Sequence, residues 1–255
     1  MVSNIPKIII QTWKDNIIPD KWKEGQNSII NLNPDFKYIL LTDIDNRNIV
    51  KKYFPYFLDT FDNFKYNIQR ADAIRYIVLY LFGGIYLDLD YVELKPFRYL
   101  IDELNKFHNK KKIYFVKSVN TPWCITNSFI MSEPRQEFWL FVIREMMKPN
   151  YFKFFGKHFH VFTSTGPFML NKMYNKYKNQ IQILDNIIVP CNICNLNTQC
   201  QKNNNYYIYP TEGSSWHGND SKLYNFIYCK RKYIKYVIIF IILIIIFIKY
   251  NIYCK

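Results

Sequence analysis

NIQRADAIRYIVLYLFGGIYLDLD, residues 67–90, is the stretch on which the fold turns. It reads as a helix, a two-glycine turn and a strand ending in two aspartates one residue apart. Ile74, Ile77, Val78 and Leu81 recur at helical spacing; Asn67 can cap the helix and Gly83–Gly84 can end it. The strand is expected over Ile85–Val92. Side chains alternate across a strand, so Asp88 and Asp90 share one face while Leu87 and Leu89 share the other. Two adjacent carboxylates repel, and a divalent cation held by oxygen ligands keeps both ionised. A metal at a strand end suggests a polyphosphate substrate.

Strands and helices alternate on either side of this block. Lys7–Gln11 (KIIIQ) and Phe36–Leu41 (FKYILL) read as strands, with helical spacing over Pro19–Asn31 and again over Asp45–Tyr53, where Pro55 breaks the pattern. Downstream, Lys112–Lys117 and Cys124–Met131 are strand candidates and Gln136–Met147 is an amphipathic helix. Ser164–Pro167 is a turn before a helix over Phe168–Tyr177, and Ile187–Val189 and Tyr206–Tyr209 are short strands around an Asn-rich loop. This alternation predicts an α/β sheet with helices on both faces and no internal repeat.

Asp72 and Arg75 lie three apart on the helix and share a face, with Gln69 beside them. A surface ion pair is the plain reading. Their place one helix before the paired aspartates favours a site role. A guanidinium there could grip a diphosphate and a carboxylate could accept a sugar hydroxyl. Trp13, just after the first strand, either stacks on a nucleobase or fills the core; spacing leaves both open. TEGSSWHG places Glu212, Ser215, Trp216 and His217 in a turn-like segment. A histidine and an acid there could complete a metal shell or bind phosphate, although alone the segment reads as a surface loop. YLDLDYV also fits the haloacid-dehalogenase-like phosphatases. That pattern usually opens its domain and needs a later Lys and acidic pair, neither of which is clear here.

The chain has 255 residues, 49% of them apolar, and a net charge of +14. The lysines are spread along it, which reads as a solvated surface and not as a nucleic-acid site. Cys191, Cys194 and Cys200 cluster, but no second ligand pair or nearby His supports zinc. Free thiols are expected, with a local disulfide and zinc as the alternatives. MVSNIPKIII lacks the basic start of a signal peptide. Tyr236–Ile248 is apolar without a break between Lys235 and Lys249. That run is short for a ~30 Å hydrocarbon core, but 233–253 is long enough if the lysines snorkel. The expected organisation is therefore one catalytic domain over 1–228 and a transmembrane anchor over 233–253. Lys230, Arg231, Lys232 and Lys235 before the span, against Lys249 and Lys255 after it, put the catalytic part in the cytosol, with the Golgi or ER lumen as the alternative.

Taken together, IPKIIIQTW, WKEGQNSIINLNPDFKYILLTD, the 67–90 block, STGP and GSSWH resemble, in this order, glycosyltransferases of the DXD sugar-binding type. These are related to the yeast initiating α-1,6-mannosyltransferase and, more closely, to the catalytic subunits of inositol-phosphorylceramide mannosyltransferase. The likeness runs over about Ile5 to Asp220. It implies a GT-A fold, a Rossmann-like mixed sheet, and metal-dependent retaining transfer from a nucleotide sugar. By motif match, Asp88 and Asp90 would contact the donor and its Mn²⁺ or Mg²⁺, and Asp72 and Arg75 would bind the donor. Trp13 would lie near the nucleobase, Asn127 beside the site, and Ser215, Trp216 and His217 in a donor-closing segment, with His217 a further metal ligand. GDP-mannose and a lipid-linked or glycolipid acceptor are the expected substrates; a UDP-sugar with a protein or glycan acceptor is the alternative. One departure is Ile10, where family members often carry His.

Overall fold

The computed structural model describes residues 5–106, 111–118, 124–191, 194, 203–213, 216–231, 233 and 235. The order is β1 (Ile8–Thr12), α1 (Asp20–Leu32), β2 (Lys37–Leu41), α2 (Asp43–Tyr53), α3 (Leu58–Asp62), α4 (Asn67–Phe82), β3 (Gly84–Leu87) and β4 (Tyr91–Glu93). Then come α5 (Phe97–Asn105), β5 (Ile113–Lys117), β6 (Ile125–Ser132), α6 (Glu137–Met146), α7 (Lys157–Ser164), α8 (Pro167–Tyr177), β7 (Ile181–Leu184) and β8 (Ile208–Pro210). A last helix, α9, covers 219–231.

Six strands form one sheet in the order β2-β1-β3-β6-β5-β7, and β4 pairs with β8 in a separate ribbon. β1 runs parallel to both β2 and β3, β6 is antiparallel to β3 and β5, and β7 is parallel to β5. The period of two sorts the core. Ile10 and Tyr86 join one cluster with Ile74, Ile77, Phe138 and Trp139 from α4 and α6. Ile9, Ile85 and Leu87 join the other with Ile29, Phe97 and Leu100 from α1 and α5. Both faces are covered, as the buried parallel strands require. Parallel β1 and β3 both point their carboxyl ends at one edge, where such sheets leave a crevice.

The expected strand over Ile85–Val92 is two strands. β3 stops at Leu87, Asp88-Leu89-Asp90 form a turn, and β4 starts at Tyr91 in the other ribbon. Leu89 causes the break: it buries against Ile18 and Trp22 instead of continuing the sheet. The two aspartates therefore face one cavity because of the turn, not because of strand alternation. Ahead of them Gly84 (φ +94°) lies so close to β1 that a Cβ would sit 2.5 Å from the Ile8 carbonyl. Glycine is required there. α2 starts two residues earlier than its apolar pattern suggests, because Thr42 and Asp45 form a reciprocal capping box. α5, α7, β7 and α9 were not legible as elements in advance.

Cys194 forms a disulfide with Cys229 on α9, and Cys191 is also disulfide-bonded. The expectation of free thiols fails at both positions. The Cys194 partner lies 35 residues away and could not be found from the local cluster. No helix among the described residues is long and apolar enough to cross a membrane. Apart from Tyr233 and Lys235, the expected anchor over 233–253 lies outside the described residues.

Candidate active site

At the carboxyl end of β1 and β3 opens a cavity of about 690 Å³. Trp13, Asp72, Arg75, Asp88, Asp90, Asn127 and Trp216, all singled out from the sequence, line it. Ser215 lies outside the described residues. His217 is not in the wall. It packs edge-on against Trp216 and His158, and burial, then the neighbouring His158, pushes its imidazole down to about 4. Among the described residues no group of three His, Cys, Asp or Glu side chains is gathered to hold a metal.

The floor of the cavity is a buried ion network. The Arg75 guanidinium pairs with Asp72 at 2.9 Å and with Asp88 at 3.2 Å. It also donates to the Asn127 carbonyl at 2.6 Å and lies over the Tyr86 ring at 4.8 Å. Asp72 further accepts from the Asn127 amide and the Thr165 hydroxyl, both at 2.9 Å. Tyr86 donates to Asp88 at 3.0 Å, and Gln11 fixes the Asp88 carbonyl at 3.1 Å. Helical spacing sets this up: Asp72, Arg75 and Tyr76 sit on the one side of α4 that meets β6. Arg75, the residue expected to grip a diphosphate, lines the cavity while it pairs with Asp72 and Asp88 and donates to the Asn127 carbonyl, so it also holds Asp88 in place.

Electrostatics separate the carboxylates. Burial raises Asp72 to about 6, against the pull of Arg75. Burial also raises Asp88, opposed by Arg75 and by the Tyr86 hydroxyl. Asp90 has no such cation partner; burial and then the Asp88 charge raise it to about 7. Two carboxylates facing one space with a single shared guanidinium are short of positive charge. Hard oxygen donors of this kind suit Mg²⁺ or Mn²⁺, which commonly take one or two carboxylates and complete their shell with substrate phosphates and water. The residues present fit such an ion.

The walls were only partly foreseen. Trp13 meets Trp22 edge-to-face at 4.9 Å, and its indole N–H is buried without a partner. It lines the cavity and also packs against the cluster of Ile18, Trp22 and Leu89. Trp22 donates to the Glu212 carbonyl at 2.9 Å, and Thr211 donates through its backbone to the Asp90 carbonyl at 2.7 Å. These bonds hold residues 211–213 against the aspartate turn. Lys65 and Lys157, not singled out in advance, flank the Tyr66 ring at 5.4 and 5.6 Å and line the same cavity. Neither stands in any motif, and α7, which carries Lys157, has no sequence signal of its own.

This sheet, with paired aspartates at its switch point, defines a glycosyltransferase fold. The apo crystal structure of mouse xyloside xylosyltransferase 1 aligns with a TM-score of 0.51 at 12% identity, over 82% of this chain and 97% of that one. The profile of the glycosyltransferase sugar-binding region containing the DXD motif matches residues 19–113. An uncharacterized glycosyltransferase of Acanthamoeba polyphaga mimivirus is 31% identical over 83% of this chain and 84% of its own length. The chain belongs to the DXD-containing glycosyltransferase family. It is also similar to inositol phosphoceramide mannosyltransferase 2 of Schizosaccharomyces pombe, at 35% identity over 92% of this chain. Mannosyl phosphorylinositol ceramide synthase SUR1 of Saccharomyces cerevisiae is 39% identical over 86% of it. The chain spans 64% and 53% of the lengths of these two. Family membership removes the phosphatase alternative.

Proposed function

We propose that this chain is a metal-dependent retaining mannosyltransferase that moves mannose from GDP-mannose to inositol phosphorylceramide or a similar lipid-borne acceptor. The observation that carries the reading is the Asp72–Arg75–Asp88 network beneath a cavity that also presents Asp90, Trp13 and Trp216. The mannosyl group and the acceptor come from the names of the fungal relatives; GDP as the carrier comes from the motif resemblance alone.

Asp88 and Asp90 would hold the cation, which when bound supplies positive charge to the donor diphosphate. Trp13 offers a ring face and a free N–H to the base. Lys65 and Lys157 offer flexible cations to the developing charge on the leaving group. The bond between the sugar C1 and the phosphate oxygen breaks with its electron pair going to the diphosphate. The acceptor oxygen bonds C1 on the same face, and its proton passes to the departing phosphate. In this reading the acceptor attacks directly on the same face, and no covalent enzyme intermediate is needed.

The Cys194–Cys229 bond favours an oxidising compartment and so the lumenal alternative over the cytosolic orientation given by the lysine count. Asn219, exposed at the start of α9 within Asn-Asp-Ser, is a built-in reporter: lumenal exposure allows its glycosylation. A glycosidase-sensitive mass at Asn219 supports this orientation, and reduced thiols at Cys194 and Cys229 in cells oppose it. The activity itself is tested by a hydrolysis and transfer screen over GDP- and UDP-sugars with Mn²⁺ or Mg²⁺. GDP-mannose should be turned over only with metal, and Asp90→Ala should abolish turnover in a folded protein. Turnover of UDP-sugars alone would replace the donor in this reading; unchanged activity of Asp90→Ala would remove the paired aspartates from the mechanism.

A further inference from the structure

Beside the cavity mouth lies an apolar surface that the transfer chemistry does not use. Residues 151–159 read YFKFFGKHF, a 3₁₀ turn over Tyr151–Phe154 followed by the start of α7. Tyr151 is 82% exposed, Phe154 83% and Phe155 67%, so these rings stand in solvent instead of covering the core. α9 continues the surface. It docks on α7 through its inner side: Asp220 accepts from the His158 backbone at 2.6 Å, and Tyr224 meets the Phe159 ring edge-on at 5.8 Å. Its outer side exposes Leu223, Phe226 and Ile227 between Lys222 and Lys230. That is the spacing of a helix lying in an interface, with an apolar stripe edged by cations.

Two observations choose the occupant. Lys153 interleaves the rings and Lys222 and Lys230 edge the stripe on α9, while the one acidic residue of the two segments, Asp220, is turned inward onto α7. The face thus complements lipid phosphates around an apolar phase. Moreover, the chain after α9 runs directly into the apolar Tyr236–Ile248 stretch. A stable protein interface would explain the rings but not the all-cationic edging. We infer that the 151–159 turn and the outer stripe of α9 lie on a bilayer surface, with the rings at the acyl-chain boundary and Lys153, Lys222 and Lys230 at the lipid phosphates. Lys157 and His158 line the cavity while Phe159 faces this surface, so the mouth opens at lipid level. A lipid-borne headgroup would then reach the site without leaving its membrane. The surface assignment rests on the reading above only for the identity of that headgroup.

The test uses the full chain in vesicles of phosphatidylcholine and phosphatidylserine. A photoreactive residue is placed by Phe154→benzoylphenylalanine or Phe226→benzoylphenylalanine, with Tyr99→benzoylphenylalanine on α5, across the sheet, as control. Lipid adducts several-fold above the control are expected at both sites. Adducts to the chain's own 236–255 peptide, or to no lipid beyond the control, overturn the inference. Phe154→Ser combined with Phe226→Ser should slow transfer to an acceptor embedded in vesicles by roughly a hundredfold or more, the scale of withdrawing two rings from an apolar phase, with donor hydrolysis unchanged. Equal loss of hydrolysis, or no loss of transfer, also counts against the surface. Lipid adducts without any sugar turnover would leave the surface standing and sink the transferase reading instead.

Discussion

Arg75→Lys separates a positioning role from a donor-binding one. Arg75 is almost fully buried and makes ion pairs to Asp72 at 2.9 Å and Asp88 at 3.2 Å while donating to the Asn127 carbonyl at 2.6 Å. Burial works to lower its proton affinity, but Asp88, Tyr86 and Asp72 outweigh it and hold the group firmly charged. A lysine keeps the charge but places it at a single point, so it can serve one carboxylate and leaves the other short of a partner. Losing two charge-assisted bonds at about 1.5–3 kcal/mol each, partly recovered by relaxation, gives a destabilisation of about 3–5 kcal/mol. With an m-value of roughly 2–3 kcal/mol/M in urea, the unfolding midpoint should fall by about 1–2 M. Asp88 would also lose its register with Asp90, so Mn²⁺ affinity and kcat should drop together. Chemical denaturation with metal titration by calorimetry measures both. An unchanged midpoint and metal affinity with only a raised KM for the donor would refute the reasoning, because it would mean that the guanidinium turns from the network to the diphosphate.

Glu93 supplies a pH prediction away from the metal site. It is buried with one carboxyl oxygen unpartnered, and burial raises it to about 9, opposed by the Asn33 amide. The folded chain then holds a proton that the unfolded chain releases near pH 4.5, so stability falls as pH rises towards 9. Between pH 5.5 and 8.5 the loss is about 4 kcal/mol at most, at 1.36 kcal/mol per unit. Glu93→Gln should flatten the slope of urea stability with pH, and an equal slope in both proteins would show that Glu93 is not the group. Gly213→Ala tests the closing segment: a Cβ there would lie 1.8 Å from Asp90 Oδ2, so the carboxylate or the segment must move. A displacement of about 1 Å can cost roughly a hundredfold in rate, so kcat should fall by that order with little change in thermal stability. Retained kcat would show that residues 211–213 stand off Asp90 during turnover.

What was legible from the sequence and what was not have a common physical cause. The apolar periods of α4 and β3 and the glycines between them are local signals, so the sheet and the place of the site could be read directly. Asp72, Arg75, Asp88 and Asp90 were found for the same reason: they lie within one short stretch whose local geometry already brings them together. Leu89 shows where local reading fails, since its partners Ile18 and Trp22 come from a distant loop and helix and decide that the aspartates sit in a turn. Lys157 and the Cys194–Cys229 bond were missed because each owes its place to α7 or α9, elements fixed by packing against each other and not by their own periodicity, and Lys65 was missed because it stands outside any motif, just before α4. Arg75 shows the same limit: sequence shows that a cation is near, while only the folded chain shows that it bonds Asp72, Asp88 and the Asn127 carbonyl. Lys65 and Lys157 bring further cations to the same cavity wall. Long-range packing therefore decides which groups line the cavity, and the motif decides only where the paired carboxylates stand.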